Sequence, residues 1–244
     1  KTILIDVSGE AVGQINGLVI MDDVGPFSFG MPARLTAKIS FGKLGVVNIH
    51  HNAGLAGEFF KKADHTVRAL LKARFAKDFP LAVEIHFSFE QLYCEINGDS
   101  ASVAQYLVML SSIACVPIRQ SIAITGSLDI LGNIQPIGGV NEKIEGFFKV
   151  CQKLGALSGE QGVVIPEQNK KDLMLCDEVV AAIRDGKFHL WAVQTLEEAM
   201  EVLIGMNHAD VEQKVKEVLR DYSRKAQEFY GNRAPLPEES GKEE

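Results

Sequence analysis

From Val103 through Leu107, Met109 and Leu110 to Ile113, the chain carries apolar side chains nearly all the way round one helix. Such a helix cannot lie on a surface. Other elements must cover it on every side until Pro117 ends it. That demand needs a large core, and 244 residues with 46% hydrophobic and 23% charged side chains can build one, as one large domain or two small ones. The clearest strand in the sequence runs just ahead of this helix. Val83, Ile85, Phe87 and Phe89 alternate with Glu84, His86, Ser88 and Glu90, the period of a half-buried strand. Between the strand and the helix lies Ile96 to Ser102, read as an exposed turn.

The remainder of the chain supplies the covering layers. Two short apolar stretches around Gly13 and Gly17, the second being Gln14 to Ile20, are expected to pair as strands through a tight turn. A glycine and proline loop is expected from Gly25 to Pro32. A strand follows it, with Leu35, Ala37 and Ile39 on one face, and another covers Val46 to His50. From Glu58 to Ala76, apolar residues recur every three or four positions and predict an amphipathic helix ended by Pro80. Ser121 to Thr125 reads as a strand and Leu128 to Ile137 as a hairpin turning at Gly132-Asn133. A helix carrying Lys143 runs to about Leu154, then come a strand at Gly162 to Ile165, one or two helices in 169–185 and a strand at Phe188 to Val193. Thr195 and Glu198 form a capping-box pattern before the next helix.

This alternation predicts an α/β fold of mixed character, with several small sheets packed against helices. Residues 1–205 are assigned to the main domain and 206–233 to a C-terminal helical extension. The stretch 234–244 is expected to be a disordered tail, since it holds two prolines, four glutamates and no packing surface. No apolar run approaches the roughly 18 residues of a membrane span, and no signal-peptide pattern opens the chain. Its start at Lys1 rather than methionine reads as a piece of something longer.

A net charge of -7 disfavours a nucleic-acid surface. Cys94, Cys115, Cys151 and Cys176 are scattered without a metal-ligand spacing. They read as reduced core thiols of a cytoplasmic protein, with no zinc site. No Gly-x-x-x-x-Gly-Lys-Ser/Thr loop is present, so these residues do not themselves hydrolyse ATP. His50, His51, His65 and His86 are assigned to structure.

Chemistry is expected at Ser100, placed where a helix start offers unpartnered N–H groups to a developing oxyanion. Three serine mechanisms compete. A chymotrypsin-type site would follow Gly-Asp-Ser with two glycines, but Ala101 and Ser102 stand here. A nucleophile elbow wants Gly-x-Ser-x-Gly and a later histidine; Ser102 replaces the last glycine, and His189 sits within a strand. The third pairs Ser100 with Lys143. A lysine is a base only when neutral, and its ordinary pKa is about 10.4. Apolar neighbours such as Ile144, Phe147 and Phe148, together with the positive end of a helix, would lower that value. The competing reading is a lysine that snorkels to solvent.

Taken together, Gly98-Asp99-Ser100-Ala101-Ser102, Thr125-Gly126, the Pro136-Ile137-Gly138-Gly139 turn and Glu142-Lys143 resemble the proteolytic domain of the Lon protease family. The likeness covers about residues 10–205 and is closer to the LonB-like and bacterial Lon-related branch. It implies a serine endopeptidase with Ser100 as nucleophile and Lys143 as general base, supported by Thr125 near the lysine and by Asp99. It implies no cofactor in this chain, a hexameric homo-oligomer, and unfolded-protein or peptide substrates fed by an ATPase region lying outside these residues. One departure is Asn97, where relatives often carry an acid. Asp99 could pair with Lys143 in a resting state and keep the amine charged. The alternative implied reading is a catalytically idle Lon-like domain used for oligomerisation or substrate docking.

Overall fold

The fold is laid down by strands whose two faces are both apolar, so that each must be covered on both sides. It is seen in a computed structural model that describes residues 4–24, 27–42, 45–77, 79–155 and 157–231. Strands β1 (Glu10–Val12), β2 (Gln14–Val24), β3 (Phe27–Phe41) and β4 (Gly45–Asn48) lead into the short helix α1 (Ile49–Asn52) and the long helix α2 (Glu58–Phe75). After β5 (Val83–Phe89) come the buried helix α3 (Ser102–Ala114), β6 (Pro117–Arg119), β7 (Ile122–Ile124) and the small hairpin of β8 (Ser127–Leu128) and β9 (Ile134–Gln135). Helix α4 (Val140–Lys153), β10 (Gly162–Pro166), a 3-10 turn at Glu167–Asp172, α5 (Asp177–Arg184), β11 (His189–Val193), α6 (Leu196–Ile204) and α7 (His208–Gly231) complete the described chain.

Seven strands form one mixed sheet in the order β11-β10-β7-β2-β3-β5-β4, flanked by two-stranded pairs β1-β6 and β8-β9. Side-chain alternation sorts its two faces. Ile15 and Val19 of β2 and Val164 of β10 enter one apolar cluster with α2, α3, α6 and α7. Leu18 of β2, and Val163 and Ile165 of β10, enter the other with α4 and α5. The sheet is thus sandwiched between helical layers. The expected buried helix is α3, in which every residue but Ser112 is buried. The capping box at Thr195 is formed, with Glu198 returning its carboxylate to the Thr195 and Gln194 N–H groups.

Several expectations need correction. β1 and β2 do not pair with each other: Gly13, at φ 66°, turns the chain out of one sheet and into another. β1 pairs instead with β6, and β2 lies between β3 and β7. The expected loop from Gly25 to Pro32 is strand from Phe27 onward, although residues 25–26 lie outside the described residues. The strand expected to reach His50 stops at Asn48, whose side chain accepts the N–H groups of His50 and His51 and so opens α1. Of the four cysteines, all free, only Cys151 is a core thiol; Cys115 and Cys176 are exposed. The disordered tail expected at 234–244 lies outside the described residues.

Helix α7 packs Val211, Val215 and Leu219 into the same cluster as α3. Arg74 of α2 ties that arrangement together, bridging Glu197 of α6 at 2.6 Å and Glu212 of α7. Among the described residues, no helix is long and apolar enough to cross a membrane.

Candidate active site

Ser100 is not inside a helix. α3 begins two residues later, and Ser100 sits in the turn ahead of it. That turn is fastened from several sides. The Ser100 carbonyl oxygen accepts the Gly126 N–H at 2.8 Å and the Thr125 hydroxyl at 3.2 Å. Ser102 donates its hydroxyl to the Asp99 carbonyl oxygen and accepts the Leu128 N–H, both at 2.8 Å. At the near end of the turn, the Asn97 side-chain oxygen accepts the Phe59 N–H in the first turn of α2. Strand, hairpin and helix therefore share the work of holding one hydroxyl in place.

Lys143 arrives from the opposite layer of the fold. Gly139 opens α4 in the left-handed region, at φ 66°, and its missing Cβ leaves room for Ile20 of β2. Gly30 of β3 lies so near the helix that any Cβ there would strike the Glu142 carbonyl. These contacts press α4 onto the sheet and bury Lys143 to 3% exposure. Its Nζ lies 2.8 Å from Ser100 Oγ, as a donor in the charged form. Burial brings the amine down to about 8, against the opposing pull of the Asp99 and Glu142 carboxylates. The snorkelling alternative fails, because the side chain is buried and its amine turns inward to Ser100.

Ser100 and Lys143 share a cavity of about 270 Å³ whose walls include Leu18, Ile20, Met21 and Ile96. Among the described residues, no protein acceptor takes the N–H of Ser100 or Ala101. The first N–H groups of α3, from Ser102 and Val103, are by contrast given to the Asp99 and Gly126 carbonyls. No group of three or more His, Cys, Asp or Glu side chains among the described residues could hold a metal ion.

Sequence reasoning brings together Ser100, Lys143, Thr125 and Asp99, and all four meet here, with Ser100 and Lys143 in contact and the other two bonded otherwise than expected. Thr125 bonds the carbonyl of Ser100. The Asp99–Lys143 ion pair suggested for a resting state is not formed: Asp99 Oδ2 instead accepts the Ser127 hydroxyl at 2.8 Å. Ser102 and Ser127 were missed. A polar residue at the start of an otherwise apolar buried helix must find a partner, and that requirement was the readable sign of Ser102.

Residues 40–206 match the Lon protease (S16) C-terminal proteolytic domain. The chain belongs to this family. Membership makes it a proteolytic domain of the Lon type. It is 41% identical over 207 residues to a Lon protease homolog of Escherichia coli (strain K12), covering 84% of this chain and 35% of that protein. A Lon protease homolog of Haemophilus influenzae is 38% identical over 235 residues, 96% of this chain and 39% of that one. An archaeal Lon protease of Thermococcus kodakarensis is 29% identical over 223 residues, 90% of this chain and 32% of that protein. The chain thus spans roughly a third of the length of the curated relatives it matches.

Proposed function

We propose that Ser100 and Lys143 are the catalytic dyad of a serine endopeptidase. The observation that carries this reading is the 2.8 Å contact between the Ser100 hydroxyl and an amine buried enough to ionise near 8. When the amine is neutral the contact reverses, and Oγ–H donates to the nitrogen lone pair. Lys143 then takes the proton as Oγ attacks a peptide carbonyl carbon. The carbonyl oxygen becomes an oxyanion, for which the free Ser100 and Ala101 N–H groups are the donors at hand. As the tetrahedral intermediate collapses, the Lys143 ammonium returns the proton to the leaving amine. Water, deprotonated by the same lysine, later attacks the acyl-enzyme and frees Ser100.

Substrate class and setting belong to the same proposal. A cleft that offers both apolar side chains, such as Leu18 and Met21, and polar ones, such as Asn97 and Asp99, suits an extended peptide with its backbone amides exposed, and family membership supports a part in degrading unfolded proteins. The further length of the curated relatives leaves room for an ATPase region that would feed them. A six-membered ring and a cytoplasmic location complete the reading, the latter supported by four free thiols.

Cleavage of a fluorogenic peptide tests the dyad. Ser100→Ala and Lys143→Ala should each lower turnover by about 10³-fold or more. A fluorophosphonate should label wild-type Ser100. Retained cleavage by Lys143→Ala defeats the dyad, and an assembled protein that neither cleaves nor takes the label is a docking domain instead.

A further inference from the structure

Asp99 stands on the wall between two cavities. One is the cleft with Ser100 and Lys143. The other, about 300 Å³, is lined by Ser127, Lys62 of α2 and Asp129 of the β8–β9 hairpin. The carboxylate is exposed, next in sequence to the proposed nucleophile, and close enough to Lys143 for its field to favour the ammonium. A side chain so placed has two partners to choose from. Turned toward α4 it would meet a buried lysine; turned toward β8 it meets a hydroxyl. The structure has the second arrangement, with Asp99 Oδ2 accepting the Ser127 Oγ–H at 2.8 Å. Ser127 is itself only 3% exposed and fixed in a paired strand.

We propose that Ser127 is a positioning residue, whose hydroxyl holds the Asp99 carboxylate on the β8 side and so leaves Lys143 with Ser100 as its partner. This rests on the Ser100–Lys143 reading and deepens it. Two carboxylates act on the amine in the structure, Asp99 from the turn and Glu142 from its own helix, and Glu95 lines the same cleft. Glu142 rides on α4, the helix that Gly30 and Gly139 hold close against the sheet. Asp99 is the carboxylate for which the structure shows a competing partner, the Ser127 hydroxyl. A released Asp99 would pair with the ammonium, hold its proton and occupy the space beside the nucleophile. The attached proton would then have to be removed at higher pH before Ser100 could be activated.

The test is a cycle of Ser127→Ala, Asp99→Asn and the double variant in the full-length protein, with kcat/KM for a fluorogenic peptide followed from pH 6 to 10. Ser127→Ala should move the rising limb up by about one pH unit, lowering activity at pH 7 about tenfold while leaving the plateau near pH 10 within about twofold. Adding Asp99→Asn should return the limb to the wild-type position or below it. A folding lesion caused by Ser127→Ala would lower activity at every pH and would not be repaired by Asp99→Asn. An unmoved limb, a uniform loss, or absence of rescue each overturn the proposal. Direct titration of the Lys143 amine by side-chain NMR in the same variants separates this from failure of the dyad. If the amine titrates higher in Ser127→Ala while Lys143→Ala still cleaves peptide, the positioning role stands and the catalytic reading falls.

Discussion

At the scale of single residues, the lysine amine sets the conditions under which the chain can work. An amine that ionises near 8 is about one tenth neutral at pH 7 and about nine tenths neutral at pH 9. Peptide cleavage should therefore climb about tenfold across that range, as a pH profile of kcat/KM would record. The same burial has a thermodynamic cost. Because the unfolded chain holds this proton more tightly, with a value near 10.5, stability is penalised fully below about pH 8 and recovers as pH rises from 8 to 10.5. The penalty is on the order of 3 kcal/mol at pH 7. Lys143→Met should accordingly abolish cleavage yet raise the urea midpoint at pH 7, with a gain that shrinks toward pH 10.5. A loss of stability at pH 7 would mean that the amine is better solvated than its 3% exposure implies.

Among the elements, the decisive contact is that of α4 with β3. Gly30→Ala should cost on the order of 1–3 kcal/mol by overpacking against the Glu142 carbonyl. It should also push α4 off the sheet, and a displacement of about 1 Å at Lys143 can lower turnover by about 10²-fold. Paired measurements of denaturation and kcat check this, and an activity loss no larger than the unfolded fraction would refute it. The elements themselves were legible wherever local pattern decided them. The alternation from Val83 to Phe89 marks β5 residue for residue, because each position has one face to answer to. The Gly25 to Pro32 stretch misled for the opposite reason. Gly30 belongs to a strand and is glycine because a helix from far along the chain lies against it, which leaves no local trace. Ser100 and Lys143 could be read through motif order, whereas the Ser127–Asp99 bond joins positions 28 residues apart with no periodicity to announce it.

On the scale of the whole molecule, α7 is bound into the fold by both grease and charge. Arg74 serves two carboxylates from two other helices, with Tyr106 buried beside them and its hydroxyl pushed up to about 12 by desolvation. Arg74→Ala would strand Glu197 and Glu212 without a counter-ion. With these groups partly exposed, the cost should be on the order of 1–3 kcal/mol. Hydrogen exchange should speed up in α7 first; a uniform change across the chain would argue against that docking role. The layered plan carries one more implication. Ser100 leads into the helix on one side of the sheet, and Lys143 rides on the helix covering the other. The sheet between those two layers depends on the pairing of β2 with β7, strands that lie far apart along the chain and are slow to meet. On the proposed mechanism, a half-folded copy keeps its would-be scissors in two separate halves, harmless to itself and to its neighbours, and gains the means to cut only once there is nothing unfolded left in it to be cut.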